Sequence, residues 1–191
     1  MKLLKKEYIP NYLSVFRILL VPVFVYLFLV SDEHLLAMVV FLLAGLTDVV
    51  DGILARKNNW ITNIGKVLDP FADKCMQVSS LICLGVTSLV PWWIVIVLSF
   101  KELILLVGAT ATLKRKKVYV QSNWYGKAGT VAFYIVVVLL VTVKNMPVML
   151  RLLLGILLIG FMLFALVMYF INYKKNILTK ECEEKHTAEV Q

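Results

Sequence analysis

Four aspartates carry most of the chemistry this chain can do. Asp48 and Asp51 lie in the run Gly45-Leu46-Thr47-Asp48-Val49-Val50-Asp51-Gly52-Ile53-Leu54-Ala55-Arg56, and Asp69 and Asp73 in Gly65-Lys66-Val67-Leu68-Asp69-Pro70-Phe71-Ala72-Asp73-Lys74. A helix rotates successive side chains by about 100°. Asp48 and Asp51, three residues apart, therefore share a face, as do Asp69 and Asp73, four apart, with Gly65 one turn earlier. Gly52 and Ala55 extend the first face with almost no side chain. Two such faces, joined by a short loop, can meet in an antiparallel helix pair.

Carboxylates in apolar surroundings cannot face one another bare, because like charge and burial both disfavour ionisation. Either some carry protons or cations neutralise them. Carboxylate oxygens with water suit Mg²⁺, Mn²⁺ or Ca²⁺, whereas Zn²⁺ usually recruits His or Cys. Two divalent ions would balance the four acids, and two ions roughly 3.5–4 Å apart are the usual clamp on a phosphate undergoing in-line displacement. The small Gly52 and Ala55 let a bulky ligand lie against the backbone, and Arg56 at the end of that face suits a phosphate or pyrophosphate. The blander reading is a structural cluster tied to Lys66, Lys74 and Lys101. Intramembrane acids are costly and mostly functional, which weighs against it.

The elements that must position these acids are membrane helices. Of 191 residues, 61% are hydrophobic, and the mean hydropathy is +0.86; a soluble domain is nearer half apolar. One compact bundle uses up the length. The net charge of +8 fits contact with anionic lipid headgroups and not nucleic acid, since no soluble domain remains to read it. Cys75, Cys83 and Cys182 are an odd number without metal spacing and give no disulfide framework.

The fold expected is all-α: an integral-membrane six-helix bundle with a short N-terminal interfacial helix over the basic residues 1–8. The spans fall at about 12–30, 35–56, 67–89, 91–113, 128–143 and 152–173. Residues 1–173 form the transmembrane domain, and 174–191 a fraying polar tail of mixed charge. The first apolar run carries Arg17 and Pro22 and lacks a small-residue cleavage site, so it reads as a retained span. Six spans put both termini on one side. That side collects the basic residues within 2–6, 56–66, 114–127 and 174–185, while the other holds Lys144 and Arg151. The positive-inside bias then places both termini and the acid-bearing loop in the cytoplasm of a multi-pass cell-membrane protein. Arg17, too deep in its span to reach water easily, needs a polar partner. Adjacent residues on a helix do not face each other, so Glu102 is not the expected partner of Lys101.

The residues read D-x-x-D-G-x-x-A-R, then eight residues, then G-x-x-x-D-x-x-x-D, with every signature position filled: Asp48, Asp51, Gly52, Ala55, Arg56, Gly65, Asp69 and Asp73. This pattern closely resembles the CDP-alcohol phosphatidyltransferase family. The likeness extends to Ile9-Pro10-Asn11-x-Leu13-Ser14-x-x-Arg17 and to the overall length. It implies an enzyme that takes a CDP-activated lipid, CDP-diacylglycerol, and an alcohol acceptor, with two divalent cations, Mg²⁺ or Mn²⁺, as cofactors. The implied metal ligands are Asp48, Asp51, Asp69 and Asp73. Asp51, Gly52, Ala55, Arg56 and Gly65 would line the CDP pocket, and Asp73 would be the general base. Asn11 and Arg17 would be active-site neighbours. Partners are membrane lipids and no nucleic acid; family members are often dimeric, while the sequence itself fixes no oligomeric state.

The second acidic motif resembles the phosphatidylglycerophosphate synthase branch, whose acceptor is glycerol 3-phosphate. A dianionic acceptor needs several cations, for which Lys66, Lys101 and Lys127 are the candidates. That branch typically has Arg-Glu in the fourth span and G-K-x-K-T opening the fifth; here stand Lys101-Glu102 and Gly126-Lys127-Ala128-Gly129-Thr130. The alternative is the CMP-forming cardiolipin synthase branch, whose acceptor is phosphatidylglycerol and whose Ala-Gly-Leu-Thr-Asp run is matched by Ala44 to Asp48. From other classes come a cation-coupled transporter and a non-catalytic scaffold. Against the transporter, the acid pairs lie in one half of the chain with no counterpart in the other; against the scaffold, the signature is intact.

Overall fold

The computed structural model describes residues 8–58, 60, 65–114, 124–143 and 145–189. The side chains of residues 56, 66, 109–114, 124, 125, 127, 169, 170 and 172–189 fall outside that description. Among the described residues six helices follow one another: α1 (Ile9–Leu29), α2 (His34–Lys57), α3 (Gly65–Val86), α4 (Trp92–Lys114), α5 (Trp124–Thr142) and α6 (Val148–Glu189). The described residues contain no strand. The basic residues 1–7, to which an interfacial helix was assigned, lie outside the described residues.

Local sequence explains the breaks. Pro10 sits in the first turn of α1, where a missing N–H costs nothing. Between α1 and α2 the chain reverses through Asp32, whose φ of 54° is one that Asp tolerates better than most residues. A connection this short makes α1 and α2 neighbours. Pro91 ends the turn before α4, and Pro147 precedes α6. No proline or glycine follows Gly160, and α6 accordingly runs past Tyr173, through the polar segment, to Glu189.

The helices close into a ring. α1 packs on α2 and α3, α3 on α4, α4 on α6, α6 on α5, and α5 back on α2. Gly155 lets α6 come so close to α4 that a Cβ there would lie 2.7 Å from Ile94 Cδ1, the small-residue contact that membrane helices use. The centre is filled by Phe24, Phe28, Phe41, Met76, Phe133 and Met162. The outside is apolar too: Leu35, Leu46, Ile96, Phe100 and Met149 are each more than 60% exposed. Helices hydrophobic on both faces are matched to lipid. Among the described residues, three stretches are long and apolar enough to cross a bilayer on length and composition alone: Ile9–Leu29, His34–Ala55 and Val148–Met168. Ala128–Thr142 is apolar but shorter, so the six expected helices are present while the six spans are met only in part.

One expectation about packing changes. The two acid-bearing helices do not meet mainly through each other: α2 and α3 touch sparingly, and α1 packs far more extensively on both. The first helix is the wedge that decides how the two acid pairs face.

Candidate active site

Arg17 is fully buried where α1 contacts α2 and α3. Its Nη1 donates to Asp48 Oδ1 at 2.7 Å and its Nη2 to Asp51 Oδ2 at 2.6 Å. The three-residue spacing on α2 is what lets one planar guanidinium reach both acids, and a fork of donors suits that better than the point charge of lysine. One turn earlier on α1, the single hydroxyl proton of Ser14 is shared between Asp69 Oδ1 on α3 and the Pro10 carbonyl, 3.1 Å away. The motif at the start of α1 therefore holds one acid of α3 and both acids of α2. Asp48 and Asp51 differ in access: the Asp48 side chain is 37% exposed and that of Asp51 3%.

The acids of the two helices lie in one another's fields, with Asp48 acted on by Asp69 and Asp73, and Asp51 by Asp48 and Asp69. Asp48, Asp51 and Asp69 are gathered around the guanidinium; among the described residues no three His, Cys, Asp or Glu groups converge closely enough to hold a metal ion. The donor set nevertheless has hard-cation chemistry. It consists of carboxylate oxygens, and one guanidinium bonds two acids and lies in the field of a third, Asp69, leaving negative charge in excess.

Asp73, one turn beyond Asp69, belongs to a second network. Lys74 Nζ lies 3.3 Å from Asp73 Oδ2 and 2.6 Å from Glu102 Oε2. It also donates to Gln77 Oε1 at 2.9 Å, and Gln77 Nε2 reaches Asp73 Oδ1 at 3.5 Å. Lys101 Nζ donates to Glu102 Oε1 at 2.6 Å and touches Met162 Sδ of α6 at 3.3 Å. This overturns the expectation that Glu102 is no partner for Lys101. The spacing rule describes pairs on a solvent-exposed helix surface, whereas a flexible lysine stem curls round the helix when both groups are buried and have nowhere else to place their charge.

The remaining sequence-derived residues are placed as follows. Gly65 opens α3 and is buried; Gly52 and Ala55 are half-buried on α2, in the two turns after Asp48. Asn11 lies in the first turn of α1, two turns before Arg17. The side chains of Arg56, Lys66 and Lys127 lie outside the described residues. A cavity of about 470 Å³ runs between α2 and α5, with Leu42, Gly45, Asp48, Val131, Tyr134 and Val138 among its lining. Among the described residues of its wall, Asp48 is the one that is charged.

Sequence reasoning left Ser14, Gln77 and Tyr134 without a role, and gave Lys74 and Glu102 only structural ones. Ser14 stood inside the N-terminal motif, and Gln77 follows Asp73 at helical spacing, so both left a signal. Tyr134 left none, being a single aromatic in an apolar helix.

Among the described residues, a ring of apolar helices holds an acid cluster beside an apolar groove, an architecture suited to a membrane. The chain belongs to the CDP-alcohol phosphatidyltransferase family, whose profile matches residues 7–171. It is similar to the CDP-diacylglycerol–glycerol-3-phosphate 3-phosphatidyltransferase of Bacillus subtilis (strain 168), 37% identical over 153 residues that cover 73% of this chain and 78% of that one. It is also similar to the CMP-forming cardiolipin synthase of Streptomyces coelicolor, 37% identical over 129 residues, 64% of this chain and 59% of that one. A glycerol-3-phosphate 3-phosphatidyltransferase of Rickettsia typhi is 43% identical over 70 residues, 36% of this chain and 39% of that one.

Proposed function

We propose that this enzyme transfers the phosphatidyl group of CDP-diacylglycerol to glycerol 3-phosphate, releasing CMP, in phospholipid biosynthesis. The observation that carries the reading is the gathering of Asp48, Asp51 and Asp69 by Ser14 and Arg17 in a chain with the complete family signature. The similarity to the Bacillus subtilis enzyme, the most extensive of those above, supports glycerol 3-phosphate as the acceptor. The similarity to a cardiolipin synthase over a shorter stretch supports the second reading, transfer to phosphatidylglycerol.

Asp48, Asp51, Asp69 and Asp73 would hold two divalent cations, Mg²⁺ or Mn²⁺. Bound there, the cations would neutralise the diphosphate and stabilise the charge that grows on the leaving CMP. The residues of the chain do the rest. Gly52 and Ala55 leave backbone open to the cytidine diphosphate, and Arg56 bonds its phosphate oxygens. The groove between α2 and α5, with Asp48 on its otherwise almost wholly apolar wall, receives the diacylglycerol end. The acceptor hydroxyl attacks the phosphorus nearer the lipid, its proton passes to a carboxylate oxygen of Asp73, and the bond to CMP breaks. Gln77 and Lys74 hold Asp73 in place for that transfer. Lys66 and Lys127 are the cations for the acceptor's phosphate, while the charge of the buried Lys101 goes to Glu102. With both termini and the acid-bearing loop in the cytoplasm of a multi-pass protein, water-soluble nucleotide, cation and glycerol 3-phosphate enter from one side, and the lipid from the bilayer.

The test is CMP release by the purified protein in detergent with Mg²⁺ and CDP-diacylglycerol. Release that requires glycerol 3-phosphate and stops with a chelator is expected. Release only with phosphatidylglycerol would move the enzyme to the second reading. Ion flux across vesicles without CMP release would make it a transporter.

A further inference from the structure

Tyr134 of α5 is placed oddly for a packing residue. Its ring stacks on Phe41 of α2, centroids 4.4 Å apart, and lies against the backbone of Gly45. A Cβ at Gly45 would fall 2.6 Å from Tyr134 Cε1 and 3.2 Å from its hydroxyl oxygen. Only glycine leaves room for the phenol at that height on α2. The hydroxyl is buried, and among the described residues it has no hydrogen-bond partner. A buried hydroxyl left unpaired is costly, so natural proteins seldom tolerate one without a reason. The groove lined by Tyr134 and Gly45 is otherwise almost wholly apolar and has Asp48 on its wall. Gly45 and Asp48 are three residues apart, one above the other on the same face of α2. The hydroxyl also lies within the electrostatic reach of Asp48, Asp73 and Arg17.

The order of residues along α2 gives the direction of the ligand. Gly52, Ala55 and Arg56 stand toward the end of the helix, and Gly45 stands on the other side of Asp48, about 10 Å from Gly52 at 1.5 Å per residue. A nucleotide-activated lipid with its nucleotide at Gly52–Arg56 and its acyl end in the groove brings its lipid-side phosphate past Tyr134.

We propose that the Tyr134 hydroxyl donates a hydrogen bond to the lipid-side phosphate of the donor, in a position that Gly45 keeps open. The inference rests on the reading of the donor as CDP-diacylglycerol. A phenol there fixes the phosphorus that is attacked, without adding charge to the acid cluster, and its ring forms part of the groove that receives the lipid. It also separates the whole donor from the nucleotide product: CMP retains only the nucleotide-side phosphate and does not reach α5.

Tyr134→Phe tests this, because it keeps the ring on Phe41 and removes one oxygen. The expected result, with wild-type and variant protein in CDP-diacylglycerol micelles containing Mg²⁺, is a fall of about tenfold to a hundredfold in kcat/KM for the donor, the range for a hydrogen bond to a charged group. CMP affinity by calorimetry and the KM for the acceptor should stay within about twofold, since neither ligand meets the hydroxyl by this geometry. Donor kinetics unchanged in the variant would overturn the inference, as would a parallel loss of CMP affinity, which a general loosening of the site would produce. Wild-type protein that releases no CMP from CDP-diacylglycerol would bring down the donor reading itself, and the inference with it.

Discussion

Two polar clusters lie inside this apolar bundle, and their charge balance differs. Around Arg17 one guanidinium faces Asp48, Asp51 and Asp69. Around Glu102 two ammonium groups, Lys74 and Lys101, face two carboxylates, Glu102 and Asp73. The second cluster is balanced, and its groups are spent on each other across α3 and α4, with Met162 of α6 closing it. The first is short of positive charge, and Asp48 opens toward the groove. A balanced buried network gives shape, whereas an under-neutralised one has unfilled affinity for cations and for what cations bind. Asp73 stands in both: its neighbour Lys74 ties it to the balanced cluster, and its field reaches Asp48 in the other.

That contrast can be broken at either end. The largest effect is expected at the shared residue. Asp73→Asn should lower CMP release by about 10²–10⁴-fold, the usual contribution of a positioned base, while nucleotide binding measured by calorimetry survives in part. Normal turnover would remove Asp73 as the base. Next is Arg17→Gln, which strands the buried carboxylate of Asp51 and the partly exposed one of Asp48. Unfolding in detergent without divalent ions should be easier by about 3–5 kcal/mol, and Mg²⁺ should restore part of the loss. A deficit that Mg²⁺ leaves untouched would mean that the Arg17 cluster has no affinity for cations.

At the balanced cluster, Glu102→Gln should destabilise by a similar amount, about 3 kcal/mol, because Lys74 and Lys101 lose their counter-charge. The double variant Glu102→Gln with Lys101→Met should lose less than the two single changes together, the sign of direct coupling. The smallest effect is expected from Lys101→Met alone. If Glu102 consumes its charge, the KM values for donor and acceptor should change equally. A selective rise in the acceptor KM would instead place Lys101 at the acceptor's phosphate.

Much of the site was legible before any coordinates. Asp48, Asp51, Asp69 and Asp73 could be grouped by face because a helix has a fixed rotation per residue. The long apolar runs around them gave a membrane bundle because nothing else satisfies such a composition. Arg17 could be marked as needing a partner, since a guanidinium deep in a span must have one. What stayed hidden needed a second helix to be placed. The pairing of Lys101 with Glu102 contradicts the local rule because burial from α3 and α6 leaves both groups no better choice.

Spacing along single helices was the sequence's to determine: which acids share a face, where the turns break, where an unpaired charge would be intolerable. Which helix stands between which others was decided only in the tertiary structure. It made α1 the wedge that brings Ser14 and Arg17 to both acid helices, and it laid Tyr134 over Gly45. The physical reason is that helical periodicity is a local property of the backbone, whereas the order of helices round the ring depends on the close fit of side chains far apart in the chain, such as Gly155 against Ile94, and no repeat along the sequence encodes that fit.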